Sequence, residues 1–210
     1  MSKTADRPGK IVCVGRNYSE HAKELGNEVP KEPLIFLKPP SSVISNGDSI
    51  LLPTAYSNQV EHEGEIGIIV GARLSHASEA DAKKAIAAIV AVNDVTARDL
   101  QKTDGQWTRA KGFDTFCPMG APSPKFPSLD TLTVICRVNG EERQRATGAD
   151  MVFKIPMLLS YISRIMTLEP GDLVATGTPA GVSKLNDGDV VEVEIVGVSK
   201  VSNPVKVASA

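Results

Sequence analysis

The tripeptide Glu63-Gly64-Glu65 is the pattern in this sequence best suited to chemistry. On a β-strand, residues two apart face the same side, so both carboxylates point one way, about 7 Å apart at the backbone. The neighbouring Ile66, Ile68 and Ile69 describe a strand that is otherwise buried. Two like charges in a buried region are costly unless a cation lies between them. Oxygen-only ligands select Mg²⁺, Mn²⁺ or Ca²⁺ over zinc. A solvated strand face is the alternative that the tripeptide alone leaves open.

Asp94 closes the apolar run Ile89-Val90-Ala91-Val92-Asn93 and is placed to be a third ligand, with a turn or helix-capping role as its alternative. Arg98, four residues on, could hold a substrate carboxylate in a bidentate fork, or be an ordinary surface arginine. His62 alternates with Glu63 and Glu65 and so faces away from them, which makes it structural. His76 lies in a polar loop and is expected in solvent. Cys13, Cys117 and Cys136 are widely spaced among apolar neighbours and match no metal motif. Buried, reduced thiols are the expectation.

The elements that must position these groups follow from pattern. Lys10–Val14, Ser49–Leu52, Glu63–Val70, Leu132–Val138 and Val190–Val196 read as strands, the last opened by the turn Asn186-Asp187-Gly188. Asn17 to Leu25 reads as a short helix capped by Asn17 and stopped by Gly26. Pro30, Pro33, Pro39 and Pro40 make the next stretch extended. Glu79–Ile89 predicts a helix leading into a strand that ends near Asn93, and Pro156–Met166 predicts a second. Strands outnumber helices without regular interleaving, so the fold class is α+β, mainly β. The 210 residues suit one domain, with residues 1–50 an N-terminal segment carrying the short helix and 51–210 the metal-binding core.

A hydrophobic fraction of 41% and a charged fraction of 23% argue against disorder. A net charge of −2 without a basic run gives no reason to expect nucleic acid or an anionic membrane. Residues 1–10 are polar, unlike a signal peptide, and no apolar run approaches bilayer length. A soluble, cytoplasmic protein is expected.

Six segments, in order, carry a resemblance. They are Cys13-Val14-Gly15-Arg16-Asn17-Tyr18, Phe36-Leu37-Lys38-Pro39, His62-Glu63-Gly64-Glu65-Ile66-Gly67, Asn93-Asp94-Val95-Thr96-Ala97-Arg98-Asp99, Trp107-Thr108-Arg109-Ala110-Lys111 and Thr176-Gly177-Thr178-Pro179-Ala180-Gly181-Val182. Across nearly its whole length the chain resembles the fumarylacetoacetate hydrolase family, in its short branch that includes acylpyruvases. The resemblance implies a mixed β-roll with flanking helices and a homodimer. It implies metal ligands Glu63, Glu65 and Asp94, a substrate site with Arg16, Arg98, Gln101, Lys111 and Thr178, and a His21–Glu24 dyad. The Asp ligand that longer family members take from an upstream region has no evident counterpart here.

His21 and Glu24 are three residues apart on one helix and share a face, as a base and the carboxylate that orients it require, or as a surface ion pair would. Their position between Pro/Gly-rich segments suits a lid. The resemblance implies Mg²⁺, with Mn²⁺ next and Ca²⁺ less suited, polarising the ketone of a small 2-oxo acid. Lys111 would donate a proton or stabilise an oxyanion beside a pyruvate enolate at the metal. The reaction expected first is hydrolysis of acylpyruvates such as acetylpyruvate and fumarylpyruvate. Decarboxylation or keto–enol tautomerisation of oxaloacetate, and isomerisation of 2-hydroxyhepta-2,4-diene-1,7-dioate, use the same site. A non-catalytic module that holds a metal or oxo acid is the rival class.

Overall fold

In the computed structural model, residues 7–24, 26 and 30–208 are described. Two five-stranded sheets dominate. The first runs, in spatial order, Leu34–Lys38, Ile11–Gly15, Leu173–Ala175, Gly64–Val70 and Ile86–Asn93. Its only parallel pair is Ile11–Gly15 with Leu173–Ala175. The second runs Glu141–Thr147, Thr133–Val138, Val190–Ile195, Ser199–Val207 and Ile50–Leu52. The fold is α+β and mainly β, as the pattern of elements predicts.

The apolar runs 64–70 and 86–93 pair in antiparallel register and pack against the second sheet, which buries them almost throughout. Gly64 permits that closeness. A Cβ there would lie 2.9 Å from Cβ of Cys136 on the facing sheet. The two acidic residues therefore flank the point where the layers press together.

Two boundaries differ from the sequence expectation. The helix expected over Glu79–Ile89 ends at Lys84, and the chain is already strand from Ile86. Ile86-Ala87-Ala88-Ile89 has helix formers in it, but pairing with Gly64–Val70 and burial of Ile89 outweigh a propensity of a few tenths of a kcal/mol per residue. The short helix expected from Asn17 spans Ser19–Glu24, and Asn17 does not cap it. The Asn17 side chain is buried, donating to the carbonyls of Phe153 and Thr176 and accepting from the Phe153 amide. Leu25, the expected end of that helix, lies outside the described residues.

The prolines around residues 30–40 flank a strand, Leu34–Lys38, paired with Ile11–Gly15. The helix Ile155–Ile165 buries Ile155, Leu158, Leu159 and Ile162, one stripe at helical spacing, and packs on Glu79–Lys84. All three cysteines are free and buried. No helix among the described residues is long and apolar enough to cross a membrane.

Candidate active site

The site begins where the two central strands end together. Asp94 donates its amide to the carbonyl of Glu63 at 2.8 Å, and Glu63 donates its own to the Asn93 side chain at 2.9 Å. This clasp brings one carboxylate oxygen each from Glu63, Glu65 and Asp94 within 4.8 Å of one another. All three side chains are buried, so the solvated strand face is excluded and the expected trio is assembled.

Three buried cations surround the trio. Lys111 Nζ donates to Glu63 Oε2 at 2.8 Å and Asp94 Oδ2 at 2.6 Å. Lys38 Nζ donates to Asp94 Oδ1 at 2.7 Å. Arg98 donates through Nε to Glu61 at 2.8 Å and through Nη2 to Glu63 at 2.6 Å. Its remaining nitrogen, Nη1, donates to Gln101 Oε1 at 2.6 Å. The fork expected to grip a substrate carboxylate is thus closed on the protein's own carboxylates, where it fixes Glu63 and Gln101 in place. Lys111 is likewise no surface lysine: its ammonium sits between two ligand candidates and 4.9 Å from the Phe36 ring centroid.

Charge counting shows what the cluster lacks. Four carboxylates (Glu61, Glu63, Glu65, Asp94) face three cations (Lys38, Arg98, Lys111). Burial alone would raise the Glu63 pKa, but Lys111 and Arg98 hold it below the usual carboxylate range. Glu65 goes the other way. Burial pushes it well up, and Asp94 and Glu63 add like-charge repulsion. Its sole hydrogen-bond donor among the described residues is the Gly177 amide, at 2.8 Å. A divalent cation fits this donor set: it would bring all-oxygen ligands together and supply the missing positive charge.

Above the cluster lies a cavity of about 450 Å³, lined by Glu63, Glu65, Arg98, Lys111 and Thr178, with His21, Glu24, Arg16, Gln101 and Lys102 around them. Phe36 and Trp107 form an edge-to-face pair in its wall. His21 is buried, and its Nδ1 lies 3.1 Å from Glu24 Oε2. Glu24 in turn accepts from the Gly181 amide, which ties the short helix to the loop that follows Leu173–Ala175. Thr178 on that loop donates to the carbonyl of Gly64 and accepts from Gln144.

His62 is structural, as its alternation predicts. Its Nδ1 meets Gln144 Oε1 at 3.1 Å and its Nε2 meets Ser183 Oγ at 2.9 Å. Burial lowers its pKa, so the ring stays neutral. His76 is exposed.

Sequence reasoning overlooked Glu61, Lys38 and Gln144. Glu61 was signalled, because it extends the two-residue spacing of Glu63 and Glu65 backward. Lys38 was signalled weakly, as a lysine ending the apolar strand Leu34-Ile35-Phe36-Leu37. Gln144 had no signal, being the one buried residue in the polar strand Glu141–Thr147.

The family model described as fumarylacetoacetate (FAA) hydrolase C-terminal matches residues 10–206. The chain belongs to the fumarylacetoacetate hydrolase family. Among curated family members, a mitochondrial oxaloacetate tautomerase of Arabidopsis thaliana is 46% identical over 198 residues, covering 91% of this chain and 88% of that protein. A mitochondrial oxaloacetate decarboxylase of Dictyostelium discoideum is 40% identical over 94% of this chain and 93% of its own length. The solved 5-carboxymethyl-2-hydroxymuconate delta-isomerase of Mycobacterium smegmatis superposes with a TM-score of 0.89 at 40% identity, covering 97% of this chain and 81% of that one. The chain is an enzyme of this family, and these three relatives carry isomerase or lyase names. Their reactions resemble the decarboxylation, tautomerisation and isomerisation alternatives more closely than the acylpyruvate hydrolysis expected first.

Proposed function

We propose that this chain is a Mg²⁺-dependent enzyme, with Mn²⁺ an acceptable substitute, that moves a proton at C3 of small 2-oxo dicarboxylic acids of the oxaloacetate type. It interconverts their keto and enol forms, and it releases CO₂ where the C4 carboxylate departs instead of the proton. The observation that carries the reading is the His21–Glu24 pair, with His21 buried and Glu24 more exposed, lining one cavity with Glu63 and Glu65 of the carboxylate cluster.

A bound Mg²⁺ would act as a Lewis acid toward the 2-oxo group, acidifying C3. The protein's own groups do the rest. With the His21 proton on Nδ1 and hydrogen-bonded to Glu24, Nε2 is free to take a proton from C3 and return it. Burial opposes the charge on Lys111, while Asp94 and Glu63, to which it donates, raise its pKa. As a hydrogen-bond donor at the cavity wall it is placed to stabilise developing oxyanion charge. Arg98 holds Glu63 and Gln101 in register. Phe36 and Trp107 keep one wall apolar and limit water.

Hydrolysis of acylpyruvates is the second reading, favoured by the same pair, because His21 Nε2 could deprotonate water instead. One panel separates them. Enolic oxaloacetate is followed by ultraviolet absorbance, and pyruvate release is measured from oxaloacetate and from acetylpyruvate, with Mg²⁺ and with chelator. Rapid, Mg²⁺-dependent loss of the enol supports the proposal. Turnover of acetylpyruvate alone would overturn it in favour of hydrolysis.

A further inference from the structure

We infer that Arg16 and Lys102 form a subsite for the second carboxylate of the substrate, and so make the enzyme selective for 2-oxo dicarboxylates. This rests on the reading above for which end of the substrate lies at the carboxylate cluster. Four Lys/Arg side chains line the cavity: Arg16, Arg98, Lys102 and Lys111. Arg98 and Lys111 are buried and already hydrogen-bonded to Glu61, Glu63 and Asp94. Neither Arg16 nor Lys102 has an ion-pair partner among the described residues, and they are half-buried and exposed, respectively. A distal carboxylate reaching toward solvent would meet these two. The one lining acid outside the carboxylate cluster, Glu24, already accepts from Gly181 and faces His21.

The backbone at Arg16 adds a second argument. Its φ is +57°, a conformation uncommon for a residue with a side chain. Such strain persists only where the surroundings enforce it, and here they do. Buried Asn17 makes three hydrogen bonds that fix the turn. Gly15 lies so close to Trp107 that a Cβ would approach its ring carbon to 3.0 Å. Trp107 joins the helices Arg98–Thr103 and Thr108–Gly112, the first of which carries Lys102. The turn thus follows a glycine packed on Trp107, and Arg16, Trp107 and Lys102 line one cavity.

The test uses two inert ligands and the full chain with Mg²⁺. N-oxalylglycine mimics a 2-oxo dicarboxylate, and N-methyloxamate lacks its distal carboxylate. Calorimetry should show wild type preferring N-oxalylglycine by about tenfold or more, the worth of a charge-assisted hydrogen bond. The preference should fall about threefold in Lys102→Gln, an exposed contact. It should fall further in Lys102→Glu, and disappear in Arg16→Gln/Lys102→Gln. Equal affinity in wild type, or an undiminished preference in the double variant, would overturn the subsite. Should Arg16→Gln fail to fold, Lys102→Glu alone decides, because a preference surviving charge reversal also overturns it. Binding needs no turnover. A preference that the variants abolish, in an enzyme inactive on oxaloacetate, would leave the subsite standing and remove the proposed reaction.

Discussion

The Gly181 amide nitrogen lies 3.0 and 3.2 Å from the two carboxylate oxygens of Glu24, so the carboxylate beside His21 is docked on a loop 157 residues away in sequence. The pair on the short helix is thereby held in position over the cluster. In the proposed reaction Glu24 acts through His21. Glu24→Gln should lower kcat by about 10–100-fold, and His21→Ala by about 10²–10⁴-fold, the usual range for a general base. The double variant should be no slower than His21→Ala. Multiplying effects, measured in the enol assay, would show that Glu24 works independently.

Glu65 is the carboxylate that burial, Asp94 and Glu63 push furthest toward protonation. Glu65→Gln keeps an acceptor for the Gly177 amide and removes the repulsion. The metal-free variant should fold at least as stably as wild type, yet bind divalent cations about 100-fold more weakly. Mn²⁺ titration followed by electron paramagnetic resonance reads the affinity, and urea unfolding reads the stability. Unchanged Mn²⁺ affinity would remove Glu65 from the ligand set.

Lys38 is 2% exposed and directs its ammonium at Asp94. Lys38→Met preserves much of the volume but leaves a buried carboxylate without that partner. Urea unfolding without metal should show a loss of about 3–5 kcal/mol, the cost of breaking a buried pair from one side. Saturating Mg²⁺ should restore part of the loss, because it supplies the charge that Lys38 no longer does.

The thiols give an independent check on the core. Burial pushes Cys13 well up and Cys117 and Cys136 to about 12. An aromatic disulfide reagent at pH 8 should therefore find almost no thiolate in the folded protein. Addition of guanidinium should release all three sulfhydryls. Rapid labelling of the native state would contradict the layer packing described above.

Most of the metal half of the site was legible because it is periodic. The two-residue spacing of Glu63 and Glu65, and the acid after a buried run, follow from strand geometry alone. The six ordered segments contain Lys111 and Thr178, and the family resemblance they carry implied His21 and Glu24. What surrounds those residues was not legible. That Lys38 and Lys111 would be buried, and that Arg98 would close on Glu61 and Glu63, depends on which segments the fold brings together. The strand Leu34–Lys38 reaches Asp94 across 56 positions of chain. No local pattern encodes such a pairing. The helix boundary at Lys84 was misplaced for a related reason: Ala- and Lys-rich segments favour helix locally, and only the neighbouring strand Gly64–Val70 overrules them.

The clasp between Glu63 and Asp94 gives the two halves of the site different lifetimes. Its hydrogen bonds close the ends of the central strands, whose amides should exchange with solvent only when the whole molecule opens. The six-residue helix bearing His21 is too short to persist by itself and depends on its docking contacts. On gradual heating, catalysis should fail first, while the protein still retains its cation and its two sheets. The first heat-inactivated species would then be a folded metalloprotein without its base, and it would recover activity on cooling without having to refold.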